Sequence, residues 1–112
     1  MRPIIVAITI VLGAATAAAA QDAKIIARGL EVYTAQKCSL CHSIAGKGNK
    51  NGSLDGVGSK LSAADVRAWL IDPAAMTAKA KSTRKPLMKP YTLPPADLDA
   101  LVAYLASLKT PA

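Results

Sequence analysis

This 112-residue chain has no phenylalanine, one histidine, two cysteines and seven acidic residues. Its only aromatic residues are Tyr33, Trp69, Tyr91 and Tyr104, so any core must be mainly aliphatic. A domain of this size buries a modest share of its surface and often needs a staple or a cofactor. Two cysteines allow one disulfide at most. A structural zinc site needs four protein ligands, and here a fourth strong ligand is missing. No segment reads as a convincing strand, so a thioredoxin-type pair beside a βαβ unit finds no support. There is no internal repeat. Asp55, Asp65 and Asp72 read as caps and surface charges, and no nucleophile–base pair stands out.

Hydrophobic residues are abundant, but unevenly placed. Met1-Arg2-Pro3 is followed by seventeen uncharged residues, Ile4 to Ala20, ending in Ala18-Ala19-Ala20. A basic start, an apolar stretch and an A-x-A pattern form a bacterial-type secretory leader over residues 1–20. Its retention as a membrane anchor is the alternative, since the apolar stretch lies near the lower limit for spanning a bilayer. Cleavage leaves a single expected domain, 21–112, in the periplasm and without a membrane span. Fourteen Lys+Arg face seven Asp+Glu in the whole chain. The surplus suits an acidic protein partner or an anionic surface. Export argues against nucleic acid.

The spacing predicts a helix over 23–37, with an apolar stripe of Ile25, Ile26, Gly29, Leu30, Val32 and Tyr33. Gly29 costs about 1 kcal/mol there against Ala, which points to close packing. Residues 46–59 carry five glycines and read as a loop. Ser62-x-x-Asp65 resembles a capping box that opens a helix through Val66, Trp69 and Leu70. Pro73 should end it. Residues 73–96 contain no acid and many prolines, and read as irregular. A last helix is expected over 95–108, with Leu98, Leu101, Val102, Leu105 and Leu108 on one face.

Both cysteines and the histidine fall in Cys38-Ser39-Leu40-Cys41-His42. A Cys38–Cys41 disulfide would close so short a loop that it restrains little chain entropy. Haem attachment uses all three residues. Two thiols three apart add across the vinyl groups of one porphyrin, and the adjacent imidazole is held under the iron. C-x-x-C-H is the signature of that chemistry. The cofactor would also supply the apolar surface that the small core lacks, so the haem-free chain should fold poorly. Iron held by one histidine has an open face, which a methionine thioether often closes. Met76 and Met88 are the candidates, with lysine, tyrosine and water as weaker options.

The chain resembles the class I c-type cytochromes, small exported monohaem proteins. The resemblance rests on "GLEVYTAQKCSLCH", "LDGVGSKL", "VRAWLIDP" and "KPLMKPYTLPPADLDALVAYLASLK". It implies an all-α fold with three or more helices around one covalent haem c. It implies Cys38 and Cys41 as thioether anchors, His42 as proximal ligand and Met88 as distal ligand. Met88 stands shortly before the last helix, where the family keeps its methionine, although Lys89 intervenes before Pro90. Gly29 and Tyr33 resemble the family's first-helix pair, and Leu101 and Tyr104 their partners on the last helix. Trp69 resembles an aromatic beside the haem propionates, with plain helix packing as its other reading. Ser53 stands near the family's proline, so a backbone carbonyl from Gly52 to Leu54 is expected to accept the histidine Nδ1–H.

The implied function is one-electron transfer, not enzymatic catalysis. Two other readings are a permanently bound subunit of a periplasmic oxidoreductase, and a five-coordinate haem that binds gas ligands. Lys79, Lys81, Arg84, Lys85 and Lys89 surround Met88 in the sequence. They are read either as a solvated face or as a docking surface for an acidic redox partner.

Overall fold

A computed structural model describes Pro3 and residues 13–110, with side chains of the first helix described from residue 22 onward. The expected leader, 1–20, and its cleavage pattern thus lie outside the described side chains. Among the described residues, no helix is long and apolar enough to cross a membrane.

The chain is built from helices α1 (Gly13–Ala35), α2 (Val57–Lys60), α3 (Ala63–Ile71), α4 (Pro73–Ala80) and α5 (Pro95–Ala106). Two 3₁₀ turns, Cys38–Leu40 and Lys50–Gly52, flank a small antiparallel ladder of β1 (Ser43–Ile44) and β2 (Lys47–Gly48). The fold is all-α in character, as the resemblance implied. α1 begins ahead of Ala23 and stops at Ala35. It ends there because Lys37 turns left-handed, at φ 56° and ψ 39°, which breaks the helical ladder.

α1 and α5 form the main helix pair. Gly29 sits at their crossing: a Cβ there would overlap the Ala100 carbonyl oxygen and Tyr104 Cβ. Four residues on, Tyr33 meets Tyr104 edge to face, with ring centroids 5.9 Å apart, a favoured aromatic geometry. Arg28 Nε donates to Asp97 at 3.0 Å and Nη1 to Glu31 at 2.8 Å on the outer side of the crossing. The apolar stripe of α1 is narrower than its sequence suggests. Gly29, Val32 and Tyr33 are buried, whereas Ile25 and Leu30 are exposed. α5 presents the expected face: Leu101, Val102 and Leu105 are buried with Ala100, and Leu98 and Leu108 pack partly against them. Val66 and Leu70 of α3 complete the core.

Three local expectations change. The ladder β1–β2 stands where no strand was expected. Ala45 and Gly46, at φ 51° and 78°, provide the positive-φ pair of a tight hairpin turn. Within the same glycine-rich stretch, α2 forms and Gly58 packs against Ala106 of α5. Pro73 does end α3, but it also opens α4, so 73–80 is helical and not irregular. Asp72 caps the new helix by accepting from the Ala75 N–H at 3.2 Å. Proline suits the first helical position because its missing N–H would be unpaired there anyway. Ser62 caps α3 as expected, accepting from the Asp65 N–H at 3.1 Å. From Lys81 the chain is irregular to Pro94, pinned by the Tyr91 N–H donating to the Leu70 carbonyl at 2.9 Å.

Candidate haem-binding cavity

The left-handed turn at Lys37 throws the chain off α1 and into the 3₁₀ turn that carries the motif. The Cys41 and His42 N–H groups both donate to the Cys38 carbonyl, at 3.1 and 2.9 Å. This single turn brings Cys38, Cys41 and His42 to the wall of one cavity of about 550 Å³. That volume lies within the range of small-molecule and cofactor sites. Both thiols are free, Cys38 half-buried and Cys41 exposed. Burial pushes the Cys38 thiol up, partly offset by the Cys38 backbone N–H and the charge of Lys89.

His42 is oriented by its backbone. Its Nδ1 lies 2.9 Å from the Gly52 carbonyl oxygen. A carbonyl only accepts, so Nδ1 carries the proton and Nε2 keeps its lone pair. The acceptor thus falls within the expected 52–54 stretch, without the proline. Burial lowers the His42 pKa; the Gly52 bond opposes this and the Arg84 charge adds to it. The neutral, ligand-competent form is therefore favoured. The segment that supplies Gly52 is itself held in place. The Asn49 N–H donates to the His42 carbonyl at 3.0 Å, and the Asn51 N–H to the Asn49 side chain at 3.0 Å.

Of the two candidate methionines, the structure brings Met88 to this cavity and leaves Met76 outside its lining, on α4. Met88 is half-buried and packs against the core. Much of the remaining wall is aliphatic and aromatic: Leu54, Val57 and Leu61 around α2, Val66, Trp69 and Leu70 of α3, and Leu101 and Leu105 of α5. Trp69 therefore lines the site. Tyr33 also lines it, and its buried hydroxyl has no protein partner. An unpaired buried hydroxyl is costly, which marks this wall as shaped for an additional group.

Sequence reasoning missed two contributors. Tyr91 lines the cavity, with the Lys89 ammonium 5.5 Å from its ring centroid. Arg84, read only as one charge among several, reaches back to donate from Nη2 to the Cys41 carbonyl. Forty-three positions separate those residues, so no local pattern could reveal the contact. The prolines around Tyr91 marked the stretch only as irregular and gave no sign of what it touches.

Two thiols and a neutral imidazole on one turn, a thioether on the same cavity wall and a mainly apolar lining fit a covalently attached haem. Among the described residues, no group of three His, Cys, Asp or Glu side chains could hold a bare metal ion. The family model described as Cytochrome c matches residues 26–109. No curated protein and no solved structure matches the chain. The family match spans most of the chain, including the Cys38–His42 turn, every cavity-lining residue and the α1–α5 crossing, and with it comes covalent haem c and haem-based electron transfer: the chain belongs to the cytochrome c family.

Proposed function

We propose that the protein is a periplasmic one-electron carrier with a single haem c, anchored by Cys38 and Cys41 and ligated by His42 and Met88. The observation that carries this reading is the convergence of Met88 with the CSLCH turn on one cavity. When bound there, the haem supplies an Fe(III)/Fe(II) couple whose potential depends on its ligands, burial and hydrogen bonding. The chain's own residues do the rest. The Gly52 carbonyl fixes the imidazole ring and raises its basicity. Met88 would fill the sixth position, favour the reduced state and leave no easy site for substrate or gas. Leu54, Leu70, Leu101 and Leu105 exclude water from the cavity walls.

The proposed partner is a redox protein with an acidic surface. Lys37, Arg84 and Lys89 line the cavity, and Lys79, Lys81 and Lys85 are exposed in the adjoining segment. Among the described residues, the ion pairs involve Arg28 and Arg67 on the helices, not these cations. Free charges around an exposed cofactor edge speed encounter more than they tighten binding, as a shuttle requires.

Visible spectra of the oxidised and reduced holoprotein, with and without CO, test the ligand set. A low-spin spectrum that CO leaves unchanged is expected. Rapid CO binding by the wild type would show an open sixth position and overturn the His42/Met88 reading.

A further inference from the structure

The Arg84 contact joins the loop carrying Met88 to the turn carrying His42. Its Nη2 donates to the Cys41 carbonyl, the residue just before the histidine. Its Nη1 and Nη2 also occupy the space where a Gly52 side chain would begin. Gly52 is the residue whose carbonyl holds His42 Nδ1. One guanidinium thus touches both backbone segments that fix the imidazole. Ser82 Oγ accepts from the Arg84 N–H at 3.4 Å and steadies the start of this arm. Among the described ion pairs, no carboxylate neutralises Arg84.

We propose that Arg84 is a positioning residue for His42: its guanidinium clamps the peptide segments at Cys41 and Gly52 and keeps a positive charge beside the proximal side of the haem. Arginine suits the task because its planar fork presents several donors at fixed angles, whereas a lysine ammonium is a single point. A positive charge held there favours the reduced state, which carries one positive charge fewer. The clamp also couples the two halves of the site. Movement of the Met88 loop would pull on the segment that orients His42.

The inference rests on His42 as axial ligand. Its test uses holoprotein in four forms: wild type, Arg84→Gln, Arg84→Lys and the charge-matched neighbour Lys85→Gln. Two quantities are read: the midpoint reduction potential, and solvent exchange of the His42 Nδ1–H by NMR in the reduced state. Beyond the Lys85→Gln effect, Arg84→Gln should lower the equilibrium constant for reduction about threefold, roughly 28 mV at 59 mV per tenfold. It should also speed Nδ1–H exchange severalfold. Arg84→Lys should recover the potential but not the slow exchange. Equal potential shifts in Arg84→Gln and Lys85→Gln, with exchange unchanged, overturn the proposal. If Arg84→Gln does not mature, wild-type exchange in Arg84→Lys overturns it instead. Failure of the electron-carrier reading would appear as CO binding by the wild type, whereas failure of the clamp appears only in differences among the variants.

Discussion

Gly29→Ala offers a direct test of the helix crossing that supports the haem cavity. The added Cβ would overlap the Ala100 carbonyl oxygen and Tyr104 Cβ. Neither obstacle is the free end of a flexible side chain, so α1 and α5 must move apart. Overpacking of this kind costs roughly 1–3 kcal/mol, and a backbone obstacle points to the upper end. Alanine's better helix propensity returns about 1 kcal/mol. The net expectation is a loss of about 2 kcal/mol, the difference between those two estimates. For a domain of this size that lowers Tm by about 8–16 °C. The strain should also reach the site, because Leu101 and Leu105 of α5 line the cavity. Thermal unfolding of the holoprotein, followed by circular dichroism, gives the measurement. Ala27→Gly on the exposed side of α1 is the companion, with an expected cost of about 1 kcal/mol from propensity alone. If Gly29→Ala leaves Tm unchanged or raises it, the close crossing is refuted.

Met88→Ala should open the haem to CO and lower the reduction potential, whereas Met76→Ala should change neither; CO difference spectra and redox titration distinguish them. Neutralising Lys81 and Lys85 together should slow electron transfer to an acidic partner and flatten its dependence on ionic strength in stopped-flow measurements; an unchanged salt slope would exclude them from docking. Burial raises the Tyr33 pKa, with Tyr104 adding to it. A raised folded-state pKa means that stability is intact below the ordinary tyrosine value of about 10 and is lost as pH rises through the folded value. Because its hydroxyl has no protein partner, Tyr33→Phe should lessen that alkaline loss without harming stability at neutral pH, as denaturant titrations across pH would show.

The clustering of both cysteines and the histidine could be read locally because the three residues share one turn. The five-residue spacing suffices to place Cys38, Cys41 and His42 together, and only a short 3₁₀ turn is needed to do so. The Gly29 crossing was readable for a different reason: a glycine in mid-helix is costly enough to imply a close neighbour. α4 was hidden because proline carries two messages. It forbids the preceding residue from staying helical, yet it suits the first position of a new helix. The Asp72 cap resolves that ambiguity in favour of a second helix. α2 and the ladder β1–β2 were hidden because glycine-rich stretches specify turns better than the short elements between them. On α1, Ile25 and Leu30 looked like core, but only one edge of that stripe meets α5.

From the one-dimensional pattern came the clustering of Cys38, Cys41 and His42, the aliphatic face of α5, the glycine crossing and the two methionine candidates. All of these depend on periodicity or on spacing within a few residues. The resemblance already favoured Met88 over Met76, and the fold brings Met88 to the cavity wall; tertiary packing alone picked Gly52 from the 52–54 stretch as the acceptor for His42, and Arg84 as a link between the segments. Those choices join residues ten or more positions apart. The chain's local preferences are indifferent to such pairings, and only the packing of α1, α3 and α5 around a shared cavity brings them together.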